Sequence, residues 1–321
     1  MTPNVRIVVD GREVDFRSAL QSCEIVDKEG VSSDTINLVI ANPDQAIPLP
    51  PKGARIEAWI SGDYFGSYTA ETVSAPCFPH MIEVTGKAAG FKGKEKEPRD
   101  RHWDDASLTD IVTDLAGALG MPASVDPEIG AHVYDWIGQV GESPVAFLER
   151  LARRHDALFS IKDGRLIFAA RGAGRSPSGA ELTAATITPA VIVPGTCRFE
   201  FSDRSQYAEV AATYTDRAAG ERKDVTVPSD GDGIAVWRIG EQFADEAEAK
   251  KAATAKAKDM RRRQSTFSVE VVGDTAFRAG APVRFSGVLR EIDGKPFIVE
   301  TATHTVSKAG YRARLDGHAQ V

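Results

Sequence analysis

Through the first ninety residues, apolar and polar positions alternate in short runs, the two-residue period of half-buried strands. Residues 5–9 and 14–16 flank Asp10-Gly11, a pair that tolerates the positive φ of a two-residue hairpin turn. Residues 35–40 and 55–60 follow, and in the second of these Ile56, Ala58 and Ile60 share one face. Ser61-Gly62-Asp63 turns the chain into a strand over 64–73, and 81–88 closes the set. A proline-rich loop, NPDQAIPLPPKG, lies between two of these runs. Short strands at this spacing predict an antiparallel barrel or sandwich.

The period then changes. After a stretch of mixed charge, GKAAGFKGKEKEPRDRHWDD over 86–105, which reads as a solvated connector, Ser107 caps a helix with Asp110 three residues on. Leu108, Ile111, Val112, Leu115, Ala116 and Leu119 repeat at helical spacing, and Gly120 and Pro122 stop the run. In ESPVAFLERLARRHDALFSIKDGRLIF, over 142–168, Ser143 is the cap and Pro144 the first helical residue. Phe147, Leu148, Leu151 and Ala152 form the buried stripe, Arg150, Arg153, Arg154 and His155 crowd the C-terminal half, where cations suit the helix dipole, and Arg153 and Arg154 read as exposed charges. Strands over 157–162 and 165–169 pair across the turn Asp163-Gly164.

A Gly/Ser/Ala-rich linker starts at Arg171. Strand patterns resume at 191–193, 198–201, 209–214, 224–227 and 235–239. A helix over 245–263, capped by Asp245 with Glu248 completing the box, carries a stripe of Ala249, Ala252, Ala253, Ala257 and Met260. Such small side chains let a helix lie close against a sheet while burying little area per residue. Strands at 265–272, 282–286, 297–303 and 311–315 end the chain, with a third Asp-Gly turn at Asp293-Gly294.

The length of 321 residues suits about two domains. Hydrophobic content of 42% and charged content of 26% are those of an ordered globular chain. The balance of 39 Lys+Arg against 46 Asp+Glu leaves a net charge of −7, which argues against a dedicated nucleic-acid binder. Cys23, Cys77 and Cys197 are too scattered for a disulfide framework or a zinc site and read as buried free thiols in a reducing cytosol. The N-terminal residues lack the pattern of a signal peptide, and no apolar run approaches the ~20 residues of a membrane span, so folding in the cytosol without membrane insertion is expected.

The search for chemistry yields no catalytic, cofactor-binding or metal site. GESPV at Gly141 lacks the last glycine of a nucleophile elbow, so Ser143 is better read as a cap. The glycines of RGAGRSPSG do not fit a dinucleotide fingerprint. Asp230, Gly231 and Asp232 lack the later glutamate of a calcium loop and read as a hairpin turn. His80, His102, His132, His155, His304 and His318 include no pair at metal-ligand spacing and are assigned surface or structural roles. Arg261, Arg262 and Arg263 read as a solvated helix end.

The order of these parts carries more than any single motif. EPRDRHWDDASLTDIVTDLAGALGM, then the helix FLERLARR and the hairpin KDGRLIF, then the Ala/Lys/Arg helix and the run from VEVVGDTAFRAGAPVRFSG to DGKPFIVETATHTVSKAGYRARLDG, resemble the late control gene D family, the baseplate hub proteins of contractile-tailed phages. Residues 194–240 match no motif of that family. The resemblance implies a mainly β fold with an α/β insert (α+β), with two tail-tube-like antiparallel β-barrel domains and a small helix-hairpin module. The expected division is 1–93 for the first barrel, 94–172 for the insert, and 173–321 for the second barrel with its helix at about 245–263. It further implies a homotrimeric ring in which six barrels adapt the hexameric tail tube to a trimeric spike and form part of the DNA channel. Partners would be the tail-tube protein or a distal tube initiator, the central spike, baseplate wedge proteins and the tape-measure protein, in a virion assembled in the host cytoplasm. DNA would transit without specific binding, and both β regions would share one strand order. The family brings no catalytic residues and no cofactor. Two other readings are a tail-tip peptidoglycan hydrolase, which needs only two well-placed carboxylates, and a VgrG-like spike component of a contractile injection system.

Overall fold

The computed structural model describes residues 4–15, 18–30, 33–88, 96–172, 183–202, 207–216, 219–229, 231 and 233–321. The chain is mainly β with an α/β insert. Its first part holds β1 (Val5–Val9), β2 (Arg12–Val14), β3 (Leu20–Lys28), β4 (Thr35–Ala41), β5 (Arg55–Ile60), β6 (Asp63–Ser74) and β7 (Met81–Lys87). These pair in the order β3-β4-β7-β6-β5-β1-β2, every pair antiparallel. Ile7, Ile25, Leu38, Ile56, Tyr68 and Val84, from six different strands, meet in one buried cluster, so the sheet curls around its own core.

The insert follows, with β8 (Arg99–Ser107), α1 (Leu108–Ala118), β9 (Ala123–Val125), α2 (Pro127–Gly130), β10 (Val133–Glu142), α3 (Pro144–Arg154), β11 (Ala157–Lys162) and β12 (Arg165–Ala170). Ser107 and Asp110 form the reciprocal capping box expected of α1, and Ser143 caps α3 with Pro144 in its first turn. Phe147, Leu148 and Leu151 are fully buried against Phe159, Leu166 and Phe168 of the hairpin, so the apolar stripe of α3 faces the side its spacing predicts. Part of the stretch read as a solvated connector is instead β8, which pairs with β10 as a two-stranded ribbon. Charged side chains alternate along its exposed face, while Trp103 turns inward and stacks on Phe147, with ring centroids 5.3 Å apart. Residues 89–95 of that stretch lie outside the described residues.

The last part contains β13 (Ala185–Ile187), β14 (Arg198–Phe201), β15 (Tyr207–Asp216), β16 (Glu221–Pro228), β17 (Ala235–Phe243), α4 (Glu246–Arg262), β18 (Ser265–Val272), β19 (Pro282–Phe285), β20 (Pro296–Ser307) and β21 (Gly310–Ala319). Here the order is β14-β18-β21-β20-β19-β13. Matching β3, β4, β7, β6, β5 and β1 to β14, β18, β21, β20, β19 and β13 superposes the two orders strand for strand. The correspondence reaches single residues. Ile36 lies opposite Gly86, and Phe267 lies opposite Gly317. A bulge follows Ala70 in β6 and Val299 in β20. Ala70 exchanges backbone hydrogen bonds with Gly53 and Ala54, and Val299 does so with Gly280 and Ala281. Both opposed glycines sit in close packing: an added Cβ would meet the Ile36 side chain at 3.0 Å at Gly86, a tight contact, and the Ile298 carbonyl oxygen at 2.1 Å at Gly317, which no side chain can occupy unless the backbone shifts. One strand breaks the match, since β1 runs antiparallel to β5 but β13 runs parallel to β19.

The two repeats share a continuous sheet. The N-terminal half of β20 pairs with β19; past the bulge its C-terminal half pairs with β3, from Thr301 opposite Lys28 to Ser307 opposite Ser22. Among the described residues, thirteen strands are joined in this way.

Where the first repeat connects β3 to β4 through a short loop, the second carries β15, β16, β17 and α4 between β14 and β18. The alanine stripe of α4 does lie close on a sheet, but on the separate sheet β16-β15-β17. The connection after β16 is not a hairpin: β17 crosses to the far side of β15 and runs parallel to it. Asp230 and Asp232 lie outside the described residues, as do residues 173–182 of the Gly/Ser/Ala-rich linker. Residues 191–193 form only one bridge, Ile192 to Val271, and not a strand. Asp293-Gly294 makes the turn expected of it, the Lys295 amide donating to the Ile292 carbonyl at 3.0 Å with Gly294 at positive φ, and the Asp293 carboxylate accepts from the amides of Gly287, Val288 and Leu289 and orders the loop between β19 and β20.

Candidate assembly interface

Three features of the chain stand out: two charged joints that fix the insert against its neighbours, and the edges of the shared sheet. The first joint sits at the tip of the β11–β12 hairpin. Asp163-Gly164 adopts the two positive-φ conformations that its residues permit, which carries Lys162 and Asp163 out to the first repeat. The Lys162 ammonium lies 2.6 Å from Asp27 Oδ1 and 3.2 Å from Asp34 Oδ2, with all three side chains largely out of solvent. Asp27 also accepts from the amide of Ala279, and Asp34 from that of Lys28. Asp27 therefore ties together the first repeat, the insert and the second repeat. Beside it, Asp163 accepts from the Tyr64 hydroxyl and the Ser67 amide.

The electrostatics follow from burial and proximity. For Asp27, burial would raise the carboxyl pKa, but the adjacent Lys162 ammonium outweighs it and holds the group below its ordinary value. Asp34 is pushed up to about 6, by burial first and by the charge on Asp27 second. Burial would lower Lys162, yet the two carboxylates hold it above the ordinary lysine value.

The second joint corrects two readings made from the sequence. Arg154 is not a solvated charge: its guanidinium reaches Glu248 at 2.7 Å and Glu241 at 3.0 Å and lies over the ring of Phe243. Arg262 is not part of a solvated helix end either, since it donates twice to Asp156, at 2.6 and 2.8 Å, while only 5% exposed. Glu248 serves both purposes. It accepts from the Ala244 amide with one oxygen, one residue before the cap, and takes Arg154 with the other. The cap of α4 is thus Asp245 alone accepting from the Glu248 amide, rather than a reciprocal box. Arg153 stays exposed, as read. No local pattern reveals these partners, because Lys162–Asp27 and Arg262–Asp156 span 135 and 106 positions of sequence.

The buried histidines occupy structural positions, and His102 is exposed. His304 is fully buried; its Nε2 donates to the Phe277 carbonyl at 2.9 Å, which leaves Nδ1 to accept from the Tyr311 hydroxyl at 2.8 Å. His155 lies 2.5 Å from the Tyr134 hydroxyl and edge-on to His132. Burial, then the charge of Lys251, lowers the His155 pKa to about 2. Because the unfolded chain takes up this proton near pH 6.5 and the folded chain does not until about 2, stability falls as pH drops through that window, by about 1.4 kcal/mol per pH unit. His155→Gln is expected to make the dependence of unfolding free energy on pH, measured in urea between pH 6 and 4.5, shallower by close to one proton. An unchanged slope would contradict the assignment. Among the described residues no group of three His, Cys, Asp or Glu is placed to hold a metal ion, and Ser143 accepts from the Ala146 amide as a cap.

The edges of the shared sheet remain. Among the described residues β14 pairs only with β18, and Phe201 in it is 61% exposed. The outer edge of β6 is covered by β5 as far as Thr69 and pairs with no described strand from Glu71 to Ser74. All three thiols are free, but only Cys23 is buried as read: Cys77 and Cys197 lie next to these two edges, outside the cores, and are respectively exposed and half-buried.

Known proteins share this architecture. A baseplate hub protein of Escherichia phage P2, described as probable, is 25% identical over 98% of this chain and 93% of its own length. The 43 kDa tail protein of prophage MuSo2 from Shewanella oneidensis superposes with a TM-score of 0.76, at 16% identity, over 98% of each chain. The c3393 protein of E. coli, a type VI secretion component described as structurally similar to the T4 tail proteins gp27 and gp5, superposes with a TM-score of 0.60, at 10% identity, over 100% of this chain and 77% of its own. The sequence profile of the phage tail baseplate hub (GPD) family matches residues 93–310, more than half of the chain, and the chain belongs to that family.

Proposed function

We propose that three copies of this baseplate hub protein close into a ring that adapts a hexameric tail tube on one face to a trimeric spike on the other. The duplication carries this reading. A chain with two repeats of one strand order presents six quasi-equivalent units when three copies surround an axis, and a ring of identical chains closes only through head-to-tail contacts. The kinship of the E. coli relative with T4 tail proteins supports the same reading. The role is structural, with no catalytic, cofactor or metal site involved. Its partners are the tube protein or tube initiator, the spike, the wedge proteins and the tape-measure protein, in a virion assembled in the host cytoplasm. The chain acts as three units, 1–93, 94–172 and 173–321, the middle one bracing the two repeats through Lys162 and Arg154. A net charge of −7 suits a lumen through which DNA slides without being held. Electron microscopy of the purified chain mixed with the phage's tube and spike proteins tests the reading. A threefold ring with tube density on one face and the spike on the other is expected. Particles that carry neither protein would overturn it.

A further inference from the structure

We infer that the edge of β14 in one copy pairs antiparallel with the outer edge of β6, beyond Glu71, in the next copy, so that the joint between copies repeats the β3–β20 joint inside each chain. This rests on the ring reading and names the strands that close it.

The argument is one of equivalence. Within the chain, the strand at one end of the first repeat, β3, pairs with the second half of the longest strand of the second repeat, β20. By strand order β14 is the counterpart of β3, and β6 that of β20. In a single chain these two counterparts are the edges that lack that partner among the described residues. A row of backbone amides and carbonyls left open at both places is a template for strand addition. Charge does not oppose it, since Arg198 and Glu200 alternate along β14 and pair with each other at 3.0 Å.

The counterpart residues also fix the register. Ile25 and Phe199 correspond, because Ile25 faces Ile36 and Phe199 faces Phe267, and those two partners both face the opposed glycines. Ala70 and Val299 correspond at the bulges. The loop after β6 keeps step too. The Met81 amide bonds the Pro76 carbonyl where Arg312 faces Thr305, and the His80 carbonyl accepts from Asn42 where the Tyr311 carbonyl accepts from Gly273. In the internal joint Ala302 faces Asp27 and Val306 faces Cys23. Carried over, Val73 of one copy faces Phe201 of the next, and Cys77 faces Cys197. An exposed aromatic side chain is thereby covered, and the two accessible thiols of the sequence meet across the joint. Opposed residues of antiparallel strands lie about 4.5–5.5 Å apart at Cα, within reach of a short thiol crosslinker.

The test uses the native cysteines. Equal amounts of unlabelled and nitrogen-15-labelled protein are co-refolded, treated with a short bis-maleimide, and digested for mass spectrometry. The expected result is a Cys77–Cys197 crosslink joining labelled to unlabelled peptide, with covalent trimer on a denaturing gel. Cys77→Ser and Cys197→Ser should each abolish it, and Cys23→Ser should leave it intact. A protein that is trimeric by mass but gives no mixed-label Cys77–Cys197 crosslink overturns this joint and leaves the ring standing. The crosslink in assemblies that never close at three supports the joint and overturns the ring. A protein that stays monomeric and uncrosslinked overturns both.

Discussion

Replacing Lys162 with Met is expected to lower the free energy of unfolding by about 3–5 kcal/mol, the cost of stranding buried charges without their partner. The ammonium sits between two carboxylates that are themselves buried, and the side-chain exposures of Lys162, Asp27 and Asp34 are 18%, 12% and 9%. Without it, two negative charges face each other largely out of solvent, and each is driven to take up a proton or draw solvent in. The loss should therefore be recovered in large part when Asp27→Asn and Asp34→Asn are added to Lys162→Met, because the triple variant removes both stranded carboxylates. The side-chain carbonyl of Asp27→Asn can still accept from the Ala279 amide. Urea unfolding of the three proteins at neutral pH makes the comparison. A Lys162→Met protein within about 1 kcal/mol of wild type would mean that the joint behaves as a surface ion pair. A triple variant no more stable than the single one would mean that the ammonium acts through packing rather than charge.

Leu151→Ala should cost about 2–5 kcal/mol, as expected for truncating a fully buried leucine and leaving a cavity. Leu151 has no solvent exposure and packs among Phe147, Phe159 and Phe168, between α3 and its hairpin. The consequence extends beyond the local core. α3 also carries Arg154 to Glu241 and Glu248, and the hairpin carries Lys162 to Asp27, so loosening one helix weakens both braces at once. Thermal melting and soluble yield report the effect. Melting at the wild-type temperature would show that the stripe is not the core face. The arginines beside it separate by environment: Arg153→Ala should be nearly silent, and Arg154→Ala should destabilise, because two carboxylates lose a partner where Glu248 is buried.

Much of this architecture was legible in the chain. Strand alternation in 55–60, the Asp-Gly turns at 10–11 and 163–164, and the caps at Ser107, Ser143 and Asp245 depend on neighbours a few residues away, and those readings hold. β8 was hidden because its exposed face is charged and only Trp103 marks the buried one. The parallel placement of β17 was hidden because strand direction depends on a crossover, not on the composition of the turn. Arg154 and Arg262 read as surface charges, and Lys162 only as the end of a strand, because their partners lie far away in sequence and burial of a long cationic side chain leaves no periodic trace. The duplication is faint in residue identity for a related reason. Opposing glycines, a bulge and a Gly-Ala pair are what the repeated strand order demands; other positions need only be apolar inside and polar outside.

The central claim is that this duplicated chain completes itself as a ring of three, and the mass of the purified protein in solution tests it most directly. Light scattering across a range of concentrations should converge on three times the chain mass of 34.5 kDa, about 104 kDa, and remain there on further concentration because a closed ring has no open edge to extend. A mass that stays at one chain, or that climbs without limit, would contradict the account.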